Sequence, residues 1–310
     1  MGPNASQAGP CRGVVIALAA SLALVAGCSL RQLAVNSVGD ALAAGGSVYE
    51  SDADVTLVGD ALPFSVKLMD SLVAESPRHR GLLLAASRAY LLYTYGYVAF
   101  GAEQLARVDV ARARADRARA HGLSLRAFDY AVRGLELGYP GFGGELARDP
   151  ARAVRVIDDA GELDFLYAAT AALGLAIGMA KQDAAMLARV PEVDAMLARG
   201  LALDEAWNAG ALHEFAVSWC AARPAASDRR AVERHYARAL ELSQGTRAGL
   251  FVAYAEGVSV REQNRRQFQD LLDRALAVDL DRRPDERLQN SLAQRRARWL
   301  RTQADLLFLE

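Results

Sequence analysis

HYARALELS, residues 235–243, decides the fold because it recurs: YAVRGLELG (130–138), MLARGLALD (196–204) and LLDRALAVD (271–279) share its pattern. Arginine stands fourth in each (Arg133, Arg199, Arg238, Arg274), a small residue fifth (Gly134, Gly200, Ala239, Ala275) and leucine sixth (Leu135, Leu201, Leu240, Leu276). An apolar residue lies three positions before each small one: Ala131, Leu197, Tyr236 and Leu272. Gly134, Gly200, Ala239 and Ala275 are therefore the expected repeat-packing positions, where two helices approach closely and flanking apolar side chains fill the space between them. The small residues are spaced by 66, 39 and 36 positions. Self-similarity at a near-constant interval is the mark of stacked supersecondary units.

Working outward, no segment after residue 30 alternates with period two. Apolar residues recur instead at i, i+3, i+4 and i+7, in windows rich in alanine and leucine. Breaks are expected at Gly45-Gly46, Ser76-Pro77, Gly122, Gly138–Gly144, Arg223-Pro224, Gly245 and Arg283-Pro284. The four segments resemble the end of the second helix of a tetratricopeptide repeat, whose period is about 34 residues. The proline that follows that helix in the family is missing from all four, so the repeats are degenerate. The long first interval must hold an inserted helix, within residues 145–160. The expected fold is all-α: a helical-hairpin solenoid of about four degenerate tetratricopeptide-like repeats, whose concave face is suited to binding.

At the N-terminus, Gly13–Gly27 reads GVVIALAASLALVAG, uncharged and preceded by one charged residue, Arg12. Fifteen residues are too few to span a bilayer comfortably, and the pattern is that of an export signal. Val25-Ala26-Gly27-Cys28 resembles the bacterial lipobox, which implies cleavage before Cys28 and lipidation of that cysteine. Acyl chains contribute about 0.8 kcal/mol per buried CH₂, so a multiply acylated terminus is a firm anchor. The expected division is a signal peptide at 1–27, a lipidated N-terminus and first helix at 28–50, and a single all-helical domain at 51–310. The expected location is the periplasmic side of a bacterial membrane, with Ser29 favouring the outer one.

The 310 residues carry 36 basic and 37 acidic side chains. Loss of residues 1–27 removes only Arg12, which leaves no basic excess to suggest nucleic acid. Cys220 is the only thiol besides Cys11 and Cys28, so the mature chain has no intrachain disulfide to form. The histidines (His79, His121, His213, His235) fall in no HExxH motif and no zinc spacing, and neither a metal nor another cofactor is expected. Gly141–Gly144 lacks a P-loop lysine, and no GxSxG serine occurs. Asp158, Asp159 and Glu162 are expected to form a solvated acidic patch. No enzymatic activity is expected.

Two aromatic groups are the candidates for a ligand or partner cleft. In Leu82–Phe100 (LLLAASRAYLLYTYGYVAF), Tyr90, Tyr93 and Tyr97 share a helical face. Arg88 near the middle of this stretch argues against a membrane span, because a charge in lipid is costly; it calls for a carboxylate partner in a buried helix. Trp207, His213 and Trp219 form the second group. Aromatic residues at such spacing are more often core, and the cleft is the sharper alternative.

The stretches SDADVTLVGDALPFSVKLMDSLVAESPRHRGLLLAASRAYLLYTYGYV (51–98), LDEAWNAGALHEFAVSWCAARP (203–224), AVERHYARALELSQGTRAG (231–249) and RRARWL (295–300) resemble the TatT family, the T-component lipoproteins of TRAP transporters. ALPF followed by ESPRHRGLLL is the most specific part. The resemblance implies an all-helical lipoprotein facing the periplasm and a homotrimer with a pore or cleft in each protomer. It implies a solute-binding P-component as partner, and passage of a small, hydrophobic ligand towards a TRAP permease. It carries over no catalytic residue, only the lipidated Cys28. The alternative is a repeat lipoprotein that scaffolds envelope proteins with no ligand passage.

Overall fold

The computed structural model describes residues 36–41, 46–223 and 229–309, and among them the regular structure is helical, with no strand. The signal segment 1–27 and Cys28 lie outside the described residues. The principal helices are α1 (Val55–Glu75), α2 (Arg80–Tyr93), α3 (Val110–Glu136), α4 (Phe142–Arg148), α5 (Leu163–Met179), α6 (Val190–Asp204), α7 (Trp207–Ala221), α8 (Arg229–Ser243), α9 (Ala248–Tyr254), α10 (Arg265–Leu276) and α11 (Arg287–Thr302). α2 continues through a π-helical turn, Thr94–Ala99, into Phe100–Leu105, and α9 continues through a second π turn, Ala255–Ser259.

Local chemistry sets the helix starts. The Asp54 carboxylate accepts from the backbone N–H groups of Thr56 and Leu57, and Asp109 accepts from that of Arg112. Each satisfies donors that a helix N-terminus leaves unpaired. The break expected at Gly122 is absent, since α3 runs unbroken through it. A lone glycine costs a helix interior only ~1 kcal/mol, and the buried stripe Ala113, Ala120, Ser124, Ala127, Ala131 on one face of α3 holds it straight. The acidic patch is corrected at one residue, since Asp158 and Asp159 are exposed as expected. Glu162 is buried and accepts from Arg80, so it is a structural ion pair rather than a solvated charge.

Successive helices pack as hairpins. α1 lies against α2, α2 against α3, α3 against α5, α5 against α6, α7 against α8, and α9 against α10. The tightest approach is at Gly134 on α3, where a Cβ would sit 2.0 Å from the Phe165 ring on α5. At Gly200 a Cβ would lie 3.0 Å from Leu212, and Ala239 and Ala275 are fully buried. α4 and the short turn Pro150–Ala153 occupy the long first interval.

Contacts between α2, α5, α7, α9 and α11 advance together along each pair. Arg80 at the start of α2 and Arg88 at its middle meet Glu162 and Asp164 at the start of α5. Tyr167 then meets the Trp207 ring at a tilt, and Gly174 packs on Phe215 further along. Arg247 bonds the Asn208 carbonyl, and Gly257 meets Ala221. Asn290 bonds the Ala248 backbone, while Arg296 bonds Glu256. These helices therefore run side by side in one direction, as an inner layer.

The inner layer closes on itself. α11, last of the series, packs on α1 and α2: Leu288 and Leu292 join Val58 and Leu62 in one apolar cluster, and Leu292 covers Gly96. Arg295 donates to the Gly96 carbonyl, Arg296 to Glu103, and Phe100 meets Trp299 edge-on. The 20-residue stretch Ala160–Met179 is long and apolar enough to cross a membrane, but 67% of it is buried inside the protein. It is apolar all round because it packs outward on α3 and α6 and inward on the space the ring encloses.

Candidate functional site

The ring surrounds a cavity of about 1080 Å³, partly open to solvent and walled by α1, α2, α5, α7, α9 and α11. Ligand sites ordinarily occupy ~300–1,000 Å³, so this chamber is large enough for a lipid-sized molecule. Its wall explains an oddity of the surface. Phe64, Tyr95, Leu187 and Leu68 are 73%, 55%, 45% and 37% exposed, and all four line the chamber. Each therefore presents apolar or aromatic surface to this space.

Two backbone irregularities lie at this wall. Tyr95 sits in the π turn of α2, where the wider turn changes the helix phase. At the start of α7, Asn208, Ala209 and Gly210 all have left-handed backbone (φ 46°, 50° and 83°). Left-handed geometry costs a non-glycine residue roughly 1–2 kcal/mol, so this turn is held by its surroundings. It aims the Asn208 carbonyl at Arg247 Nη1, 3.0 Å away. Gly210 belongs there, as a Cβ would stand 3.1 Å from Leu242.

Two arginines project from the inner helices into a largely apolar environment. Arg247 donates to Glu214 and to Glu286 (3.1 Å), and Arg296 donates to Glu256 through two nitrogens and to Glu103, each at 2.7 Å. The neighbouring carboxylates outweigh burial and hold both guanidiniums well above the ordinary arginine range. Burial pushes the Tyr95 hydroxyl up, and it pushes Tyr167 up to about 12. Neither hydroxyl has a hydrogen-bond partner among the described residues.

Of the residues singled out in the sequence, Trp207 and Trp219 line the chamber. The tyrosine stripe lies elsewhere. Tyr90 is fully buried, with its hydroxyl donated to Asp70 at 2.8 Å. Tyr93 accepts from Arg119, and Tyr97 donates to the Val55 carbonyl while its ring covers Gly59. These three bind α2 and its π turn to α1 and α3. His213 is buried behind the wall and shares a 2.8 Å hydrogen bond, Nδ1 to Nδ1, with His235. Burial first, then the His213 charge, pushes His235 down to about 4. The stripe at i, i+3 and i+7 draws the eye away from Tyr95, which lies off it. Arg247 and Arg296 carry no local signal in a chain this rich in arginine. No group of three or more metal-ligating side chains occurs among the described residues.

Fold and site together define an all-helical protein built as a closed ring around an apolar chamber. The chain belongs to the TRAP transporter T-component family, whose model, TAtT, matches residues 51–308. It is also 30% identical over 311 residues to an uncharacterized protein of Treponema pallidum (strain Nichols), a match covering 94% of this chain and 96% of the other. The family is one of transport components rather than enzymes.

Proposed function

We propose that this T-component is a lipoprotein anchored through Cys28, facing the periplasm from the outer membrane, that offers its chamber to a small hydrophobic ligand. In this reading a solute-binding P-component docks on it and exchanges that ligand towards a TRAP permease. The hairpins act as degenerate tetratricopeptide-like repeats, with Gly134, Gly200, Ala239 and Ala275 as their close-packing positions, and the protomers assemble as trimers. The observation that carries the reading is the chamber itself: about 1080 Å³, walled by the ring of helices and lined by Phe64, Leu68 and Tyr95. Apolar side chains facing open space would be costly in a protein with nothing to bind. The test is native mass spectrometry of the soluble form beginning at Ser29, before and after incubation with a lipid extract. A trimer that retains an apolar molecule is the expected result. A bare monomer that takes up nothing would favour the scaffold.

A further inference from the structure

Residues 107–119 read RVDVARARADRAR, an arginine run that neither the ring nor the chamber accounts for. It covers the turn before α3 and the first turns of that helix. Arg112 holds Asp116, and Arg119 donates to the Tyr93 hydroxyl. Arg107, Arg114 and Arg117 are exposed and have no ion-pair or hydrogen-bond partner among the described residues. Val110, Arg114 and Arg117 stand at i, i+4 and i+7, on one face of α3. Val108 and Val110 beside them are 84% and 60% exposed.

A fourth free cation joins them. α3 and α5 run antiparallel, with Gly134 against Phe165 at one end and His121 Nδ1 3.1 Å from the Ala176 carbonyl oxygen towards the other. Arg117 stands one turn before His121, and Lys181 about one turn beyond Ala176, just past the end of α5. Both therefore lie at the same end of the ring.

Lys181 is exposed, has no ion-pair partner among the described residues and lines the chamber, as does Leu187 shortly after it. The aspartates of this end are taken up, Asp116 by Arg112 and Asp109 and Asp183 by backbone N–H groups. One end of the chamber is thus bordered by free cations set among exposed apolar side chains. Arginine beside apolar surface is a composition enriched at protein interfaces.

The proposed anchor leaves from the other end. Ser76 donates to Asn36 at 2.7 Å, and Asp40 meets His79, both just before α2. From Arg80 the chain is helical to Leu105, which separates this end from the arginine run by roughly 35 Å. Cys28 lies eight residues before Asn36, a reach of at most ~29 Å. A membrane holding Cys28 therefore lies nearer the start of α2, and the arginine edge faces soluble partners.

We propose that the edge formed by Arg107, Arg114, Arg117 and Lys181 is the docking surface for an acidic protein face, a carboxylate-rich surface of the solute-binding P-component, seated over the end of the chamber that Lys181 lines. This rests on the reading of the chain as the component on which a P-component docks, and adds the place and the chemistry of the contact. Charge of this kind acts mainly on the rate of encounter and is screened by salt.

The test uses the soluble form beginning at Ser29 and the separately purified P-component of the same transport system, with association read by biolayer interferometry at low and high salt. The variant Arg107→Glu/Arg114→Glu/Arg117→Glu, its melting temperature unchanged, is expected to bind about ten-fold more weakly, chiefly through a slower association rate, and to lose the salt dependence of the wild type. Lys181→Glu alone is expected to weaken binding roughly three-fold. The control Arg78→Glu/Arg155→Glu/Arg282→Glu makes the same change of charge at exposed sites before α2, α5 and α11, and is expected to bind as the wild type does. Equal binding by the wild type and the first variant, or equal losses in the first variant and the control, overturns the docking surface and leaves the proposed function standing. An unchanged affinity in Lys181→Glu overturns the seating over the chamber. Binding of the wild type to phosphatidylglycerol vesicles that the first variant loses, with P-component binding intact in both, makes the edge a membrane contact and overturns the proposal. No binding of the P-component to the wild type overturns both readings.

Discussion

Arg296 Nη2 donates to Glu103 Oε2 at 2.7 Å across 193 positions of sequence, and the same guanidinium holds Glu256. One side chain on α11 therefore ties both ends of the inner series together and closes the ring. Removing the shared cation of this partly buried ion triad strands the other charges, at a cost of about 1–3 kcal/mol. Arg296→Met is expected to lower stability by that amount in urea titration. Amide exchange should accelerate first around Gly96 and Leu292, where α11 meets α2. Uniform destabilisation with no local opening there would contradict a closing role.

The approach at Gly134 is tight enough to measure. Its Cβ would stand 2.0 Å from Phe165, with α3 and α5 packed through fully buried residues on both sides. Overpacking of a filled core costs ~1–3 kcal/mol. Gly134→Ala is expected to destabilise accordingly, and Gly134→Ala/Phe165→Leu to recover part of the loss. Gly122→Ala, at a site where a Cβ meets nothing, is expected to stabilise by up to ~1 kcal/mol. Thermal melts of the three variants check both directions.

The left-handed turn at Asn208–Gly210 stores strain at the chamber wall. Ala209→Gly is expected to stabilise the protein by roughly 0.5–1 kcal/mol, since glycine accepts that backbone freely. A drop in melting temperature would show that the turn is not strained.

The histidine pair makes stability depend on pH. His213 and His235 share one hydrogen bond, and Glu205 and Arg238 face the pair, with Arg234 beside His235. Both folded-state values lie below 6.5, so the unfolded chain binds protons first. The stability of the neutral pair is present above pH 6.5 and is lost as pH falls from there towards about 4. Urea midpoints measured between pH 7.5 and 4.5 should fall, with a shallower slope for His235→Asn. Equal slopes would remove the pair as the cause.

Helical class and family were readable in the sequence, for physical reasons. Periodicity of 3.6 is local, and the spacing of Gly134, Gly200, Ala239 and Ala275 survives as a pattern in the chain itself. The ring was not readable, because its closure depends on Leu292 meeting Gly96, two residues far apart with no mutual signature. The wall was readable in part. Trp207 and Trp219 announce themselves as large aromatic residues. Tyr95 does not, because a π turn alters the phase that makes Tyr90, Tyr93 and Tyr97 a stripe. Arg88 was expected to need a carboxylate, and Asp164 supplies it. Arg247 was silent, since its four partners come from three separate segments.

The central claim, that the enclosed space holds a ligand, is tested most directly by filling it. Gly178 on α5 lines the chamber, and a Cβ there would meet nothing within 4 Å. Gly178→Trp grows an indole into the space from a position where its Cβ meets no neighbour. Native mass spectra of the wild type and this variant, each after incubation with the same lipid extract, give the answer. Retention of a small molecule by the wild type and its loss from an equally stable, equally folded Gly178→Trp protein is the expected result. Equal retention by both, or by neither, would contradict it.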